Sequence, residues 1–274
     1  MLISRTYGFA YLHIPKCAGS SVRHQLQPLN EVHERFGGWR FHEEIGWFDA
    51  QHTPLARLRH SFPEDFQLLA TLDVFAVCRD PVTRFISALA QRLREFRGRA
   101  VETFEPPEIR REVDEVIEHL EVAAPFPHIE FVHFARQSDY IELDGRRFVS
   151  FLYPIERLHR MLAELKERTG YRLDPSYHGN ASQRPRVASI DASLRFRAGL
   201  SRSLLPARLY RRLRDKARRR LMTTTNDALS RTVLGYDDAM TFIEQFYAQD
   251  FRIHWEALAS PEAMEEGNGC RPRS

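Results

Sequence analysis

Lysine, cysteine and long apolar runs are scarce in this sequence of 274 residues, and each scarcity excludes a class of protein. Only three of the 40 basic residues are lysines, and the formal net charge of +3 at pH 7 argues against a chain-wide polyanion binder. The three cysteines fit neither a disulfide framework nor the ligand spacing of a zinc site. No apolar stretch reaches the ~18 residues of a transmembrane span, and the N-terminus has no signal-peptide core, so we expect a cytoplasmic protein.

What the sequence does contain is ordinary for a globular α/β protein. Hydrophobic residues make up 43% and charged residues 28% of the chain, which leaves enough apolar surface to bury a core. We expect a single domain over residues 1–258 and a flexible tail over residues 259–274. Within the domain, segments 99–128 and 191–232 are expected to be helical or irregular excursions.

The first motif is a strand, a turn of small residues and a helix. Residues 9–14 form a short apolar run without helical period, which is typical of a buried strand in a parallel sheet. Pro15 ends the strand because it has no N–H, and Ser20 or Ser21 can cap the helix that follows. Free N–H groups at a helix start, together with the helix dipole, attract anions. With Lys16 at its edge, this turn is interpreted as a phosphate-type binding loop.

A second unit of the same kind follows. Residues 74–78 are an apolar strand that ends at Arg79. Asp80 can cap the next helix, Pro81 can occupy its first position, and an apolar face then continues to residue 96. Ligands of open α/β sheets bind beyond the carboxyl ends of the strands, which is where Arg79 is expected to lie.

The first turn is not the loop of nucleoside triphosphatases. That loop needs two glycines separated by four residues, followed by Lys and Ser or Thr. Here Lys16 precedes the single Gly19. A small-molecule kinase, which would need magnesium and a triphosphate, remains an alternative that this missing frame disfavours.

The rest of the chain gives coarser predictions. Residues 31–51 lack a clear period and are expected to be irregular, whereas Thr53 and Pro54 suit the start of a short helix. Two further strands are predicted over residues 129–134 and 147–153. Further predictions are helices over 22–30, 154–168 and 237–258 and a loop over 174–190.

Residues 202–220 hold nine basic side chains and a single acidic one, with leucines at helical spacing. Such a basic amphipathic helix can meet nucleic acid, a membrane surface as a peripheral contact, or an anionic substrate. The alternative is a solvated helix face over a core stripe. A non-enzymatic anion or nucleic-acid binder would leave both strand-end motifs unexplained. Few aromatic residues interleave with the arginines as single-strand binders require, so we expect no nucleic-acid partner.

Together, the two strand-end units resemble the sulfotransferases that use 3′-phosphoadenosine 5′-phosphosulfate. The resemblance rests on residues 13–21, which read HIPKCAGSS, and on residues 78–87, which read CRDPVTRFIS. It is closest to the carbohydrate branch that includes heparan sulfate 2-O-sulfotransferase and the chondroitin and dermatan sulfotransferases. Shorter matching segments are residues 137–140, residues 180–182 with Arg184, and residues 247–251.

The resemblance implies a P-loop-NTPase-like α/β fold of one domain, with a parallel sheet flanked by helices. It also implies 3′-phosphoadenosine 5′-phosphosulfate as donor, 3′-phosphoadenosine 5′-phosphate as product, and no metal. Arg79 and Ser87 would hold the 3′-phosphate, with Arg184 as a contact from a lid. Cys17 stands where threonine is common in the family. The residues that would hold the 5′-phosphosulfate are Pro15, Lys16, Cys17, Ala18, Gly19, Ser20 and Ser21.

The resemblance further implies a hydroxyl-bearing acceptor, a glycan or a glycosylated small molecule, and a base that removes its proton. His52 is the candidate base, because its setting resembles that of the base histidine in the 2-O-sulfotransferases and imidazole accepts protons near neutral pH. Alternatives in the preceding segment are His42, Glu43 and Glu44. Lys16 would stabilise charge on the bridging oxygen of the leaving phosphate. His13, inside the predicted strand, is expected to be structural.

Overall fold

The computed structural model describes residues 1–32, 35–43, 46–122, 128–174 and 228–260, and the backbone of residues 183–185, 222–224 and 227. The strands are, in chain order, β1 (Leu2–Ser4), β2 (Phe9–Leu12), β3 (Trp39–His42), β4 (Gly46–Asp49), β5 (Asp73–Cys78), β6 (Glu142–Leu143), β7 (Arg146–Arg147), β8 (Phe151–Pro154), β9 (Gln183–Pro185) and β10 (Met222–Thr224). The helices are α1 (Gly19–Leu26), α2 (Leu55–Ser61), α3 (Pro63–Leu68), α4 (Pro81–Phe96), α5 (Pro106–Glu121), α6 (Ser138–Ile141), α7 (Leu158–Thr169), α8 (Asp227–Leu234), α9 (Asp237–Phe246) and α10 (Ala248–Ala259).

A four-stranded sheet in the order β1–β2–β5–β8 forms the centre of the first apolar core. Strands β2, β5 and β8 run parallel, whereas β1 pairs antiparallel with β2 at the edge. The residues of β2 and β5 are apolar without alternation because both faces of these strands are covered. The predicted fold class, a sheet with parallel strands flanked by helices, is thus confirmed.

A second apolar core consists mainly of α4, α5, α8 and α9. Its polar tie is Arg92 of α4, which is buried and donates to Glu112 and Glu115 of α5 at 2.6 Å each. Because α4 starts directly after β5, this core positions one wall of the crevice at the sheet edge.

The helix starts predicted at Pro54 and Pro81 are confirmed. Helix α2 begins directly after Pro54, and the Asp80 carboxylate accepts a hydrogen bond from Thr83 N at 2.9 Å, with Pro81 in the first position of α4. The helix predicted at 22–30 begins earlier, at Gly19, and a short 3₁₀ turn follows it. The predicted cap is wrong, because Ser20 and Ser21 lie inside α1 and Ala18 takes the capping position without a side-chain hydrogen bond. The helix predicted from residue 154 is a 3₁₀ turn followed by α7, which ends at Gly170.

Other predictions are wrong in part. Residues 31–51 are not simply irregular, because β3 and β4 form an antiparallel hairpin there. The strand predicted at 129–134 is a 3₁₀ turn, since a short apolar run also suits a buried turn. The strand predicted at 147–153 is divided between β7 and β8. The helix predicted at 237–258 is two helices, α9 and α10, that meet at Tyr247.

Several predictions lie outside the described residues: the basic helix at 202–220, the loop at 174–190 apart from β9, and the tail beyond residue 260. In the part of the chain that is described, every helix is too short or too polar to cross a membrane.

Candidate active site

The turn after β2 has an unusual backbone. Lys16 and Ala18 adopt left-handed conformations, with φ of 66° and 59°, and Ser21 N donates to Ala18 O at 3.0 Å. No described side chain caps the N-terminus of α1, and its first turn holds no acidic residue. The amide groups at this helix start are therefore suited to receive an anion.

Gly19 is required where α1 begins. A Cβ at this position would stand 1.7 Å from Nε2 of His13, so the imidazole ring occupies the space that any other side chain would need. The small residue in the motif thus reflects a packing constraint inside the turn as well as access for a ligand.

The side chain of Lys16 contacts helix α4, which belongs to the second core. Its Nζ donates to Oε1 of Gln91 on α4 at 2.5 Å. Partial burial and the positive charge of Arg94 lower the pKa of Lys16 to about 8. The ammonium is therefore held at a defined place beside α4.

Arg79, at the carboxyl end of β5, contacts the same turn. Its Nη1 donates to Lys16 O at 3.3 Å, and its Nε donates to Thr83 Oγ1 at 3.1 Å. Thr83, Ser87 and Gln91 are spaced by four residues and so share one face of α4. Ser87 lies between the residues that contact Arg79 and Lys16, and the structure brings the two predicted half-sites together at one sheet edge.

The side chain of Gln137 is hydrogen-bonded to both turns, the one at Cys17 and the one at Arg79. Its Oε1 accepts from Arg79 N at 2.9 Å and from the Cys17 thiol at 3.3 Å, while its Nε2 donates to Arg79 O at 2.8 Å. Asp250 in turn accepts from the backbone N–H groups of Gln137 and Ser138 at 2.7 and 2.9 Å. Both partners belong to segments that carried the sequence resemblance, and their role here is to hold the turns.

The thiol of Cys17 is fully buried. Burial raises its pKa to about 12, so the group is a neutral hydrogen-bond donor to Gln137.

His52 lies against a carboxylate. Its Nδ1 is 2.7 Å from Oδ2 of Asp49, and Gln51 N donates to Oδ1 of Asp49 at 2.9 Å. Burial alone would raise the pKa of Asp49, but the hydrogen bonds from His52 and Gln51 lower it, and the group is ionised at neutral pH. A carboxylate has no proton to donate, so Nδ1 carries a hydrogen, and in the neutral form of the ring the lone pair is on Nε2.

Two further histidines pack around His52. The ring of His13 is 4.4 Å and the ring of His133 is 5.0 Å from the His52 ring, centroid to centroid. Burial and the neighbouring His52 lower the pKa of both well below the usual value, so both rings are neutral at physiological pH. Since His13 also touches Gly19, it connects the candidate base to the candidate anion cradle.

The other predicted site residues are not in this cluster. Glu43 is exposed beyond the last pair of the β3–β4 hairpin, while His42 pairs with Gly46 at the same end. Glu44 lies outside the described residues. Arg184 is described only as backbone, paired with Thr223 between β9 and β10.

One group of side chains has the donor set of a metal site. Asp49, His52 and His133 each place one potential ligand atom within 4.8 Å of the others. Two imidazoles and a carboxylate can hold a divalent cation. In this structure Asp49 and His52 are instead bonded directly to each other.

Sequence reasoning misses Asp49, Gln91 and His133. Asp49 could have been found, because it precedes the candidate base by three residues, a spacing at which side chains can meet. Gln91 lies two turns beyond Thr83 on a predicted helix, but only tertiary packing reveals its contact with Lys16. His133 had no usable signal, because its segment was predicted as a strand.

Comparison with known proteins agrees with this geometry. A model of the sulfotransferase family matches residues 1–254, which include the central sheet, both turns and the histidine cluster. No curated protein and no solved structure gives a significant match. The match covers far more than half of the sequence, and the chain belongs to the sulfotransferase family.

Proposed function

We propose that this sulfotransferase moves the sulfuryl group of 3′-phosphoadenosine 5′-phosphosulfate to a hydroxyl group of a carbohydrate acceptor. The observation that carries the proposal is the contact of the Arg79 guanidinium with the carbonyl of Lys16. This contact sets two cationic turns side by side, as a donor with two separate anionic ends requires.

The residues at each turn fit such a donor. At the first turn, the start of α1 has no side-chain cap and combines backbone amide groups, the helix dipole and the Lys16 ammonium, without an acidic side chain in the first turn of the helix. At the second, Arg79 offers a planar set of donors and Ser87 a hydroxyl for the 3′-phosphate. When bound, the donor supplies the sulfuryl group and a phosphate leaving group.

Lys16 and His52 have the two chemical roles in this proposal. The Lys16 ammonium, held by Gln91, stabilises negative charge that develops on the leaving phosphate. Nε2 of His52 accepts the proton of the acceptor hydroxyl, and the Asp49 carboxylate stabilises the imidazolium that results. Neutral His13 and His133 rings beside it add no opposing positive charge.

A thermal-shift and calorimetry screen tests the donor. We expect 3′-phosphoadenosine 5′-phosphate to raise the melting temperature, because a ligand that binds only the folded state stabilises it. ATP with magnesium, NAD and coenzyme A serve as the comparison ligands. A shift with ATP and magnesium but none with 3′-phosphoadenosine 5′-phosphate would contradict the proposal and favour a kinase.

A further inference from the structure

The hairpin of β3 and β4 exposes an aromatic surface that folding does not use. Trp39, Phe41 and Trp47 are 56%, 61% and 62% exposed, although large aromatic side chains are usually covered. The rings of Phe41 and Trp47 lie 5.8 Å apart, centroid to centroid. We call these three residues the aromatic platform.

Strand register places the platform on one face of the hairpin. Trp39 pairs with Asp49, and Phe41 pairs with Trp47, so all four side chains project from the same side of the two strands. The platform and the carboxylate that holds His52 therefore belong to one continuous face. Trp47 is two residues from Asp49, about 7 Å along the strand.

The opposite face of the hairpin attaches it to the protein. Phe48 is buried against Phe62, with Arg57 of α2 over its ring, and His42 packs near His60. The hairpin is thus anchored by one face while the other presents aromatic rings. Substitutions on the platform should leave this anchor intact.

We propose that the aromatic platform binds the sugar rings of a glycan acceptor and leads its hydroxyl group to His52. This inference rests on the proposed function and names the surface that recognises the acceptor. A sugar ring presents a face of C–H groups that packs on an aromatic ring, while its hydroxyl groups stay free at the edge. The platform shares its hairpin face with Asp49, whose carboxylate contacts Nδ1 of His52, so a sugar stacked there would lie close to the candidate base.

The composition of the surface favours a sugar over a lipid bilayer. Bilayer-binding surfaces combine Trp, Phe or Leu with many lysine and arginine side chains. The paired residues on the platform face of the hairpin are Trp39, Phe41, Trp47 and Asp49, none of which is basic.

The test is calorimetry with hexasaccharides in the presence of saturating 3′-phosphoadenosine 5′-phosphate. The probes are cellohexaose, maltohexaose and unsulfated chondroitin and heparosan hexasaccharides. We expect wild-type protein to bind at least one probe, and the triple variant Trp39→Ala, Phe41→Ala, Trp47→Ala to bind it at least tenfold more weakly. The matched control is Trp255→Ala on α10, because Trp255 is 68% exposed but lies outside the hairpin.

The outcomes separate this inference from the proposed function. We expect the triple variant to keep the wild-type affinity for 3′-phosphoadenosine 5′-phosphate and the wild-type melting temperature. Binding of the nucleotide without binding of any hexasaccharide, or equal glycan affinity of both proteins, would overturn the platform while leaving the donor assignment intact. Failure to bind the nucleotide would contradict the proposed function itself.

Two further ligands of the platform are tested in the same way. Vesicles of phosphatidylcholine and phosphatidylglycerol test binding to a membrane, and light scattering tests self-association of the chain. A triple variant that loses vesicle binding or self-association while its glycan affinity is unchanged would assign the surface to a membrane or to a second copy of the chain, and would overturn the proposal.

Discussion

The two strand–turn–helix units have the same order of elements but differ in whether a side chain caps the helix start. After β5, the Asp80 carboxylate bonds to Thr83 N and closes the start of α4. After β2, no described side chain caps the start of α1, and the backbone bends through left-handed residues at Lys16 and Ala18. The turn at Arg79 and Asp80, which we call the closed turn, thus has a side-chain cap and presents a guanidinium. The turn at residues 15–18, which we call the open turn, has no side-chain cap at the helix start that follows it.

The open turn is the less stable of the two by itself. A missing N-cap costs about 0.5–2 kcal/mol, and each non-glycine residue in a left-handed conformation adds roughly 1 kcal/mol or more. The turn keeps its shape because Cys17 is bonded to Gln137 and Lys16 to Gln91. The comparison indicates that the binding geometry is maintained by contacts from other elements rather than by the turn itself.

Removal of the Lys16 ammonium from the open turn should have the largest effect on turnover. We expect Lys16→Ala to lower turnover by at least ~10², because the charge that stabilises the leaving group is lost. The matched control is Lys166→Ala, an exposed lysine on α7. Equal turnover of both variants, measured as sulfated product by mass spectrometry, would remove Lys16 from the chemistry.

The candidate base adjoins the open turn through His13, so His52→Ala should be almost as damaging. A loss of at least ~10² in turnover is expected for a general base. Glu43→Gln, at the far end of the hairpin, should keep wild-type turnover. A reversed pattern would transfer the role to Glu43.

Arg79→Ala tests the closed turn as a binder. Loss of a charge-assisted hydrogen bond worth about 1.5–3 kcal/mol should weaken binding of 3′-phosphoadenosine 5′-phosphate by roughly 10- to 150-fold. Calorimetry gives the affinity directly. An unchanged dissociation constant would mean that only the open turn contacts the nucleotide.

The pKa of Lys16 gives the open turn a pH limit that the closed turn lacks. Because burial lowers this pKa to about 8, the ammonium is charged below that pH and is lost above it. We expect kcat/KM to fall above pH 8, approaching tenfold for each further unit. Lys16→Arg should flatten this limb at a lower absolute rate, since guanidinium stays charged. A wild-type profile that is flat to pH 10 would contradict this role.

The smallest effect is expected at the cap of the closed turn. Asp80→Ala should lower the free energy of unfolding by about 1 kcal/mol, because Thr83 N loses its partner. Nucleotide affinity should change less than twofold. Denaturant unfolding measures the first quantity, and a large loss of affinity without a loss of stability would show that Asp80 serves the site instead.

Local sequence signals are enough to predict both units, because proline, a capping aspartate and small residues act within a few positions. The β3–β4 hairpin escapes prediction, since its strands are only four residues long and β3 exposes its aromatic residues while its polar residues are half-buried, the reverse of the usual alternation. Within the site, Lys16, Arg79 and His52 can be proposed from the sequence. Their contacts with Gln91, Gln137 and His133 depend on tertiary packing.

The His13 ring is shared by two regions with different tasks. One edge fills the volume beside Gly19, and the ring also packs against His52. The candidate anion cradle and the candidate base therefore share one imidazole ring as a neighbour. A residue larger than glycine at position 19 would have to displace that ring, and the displacement would also disturb its packing against His52.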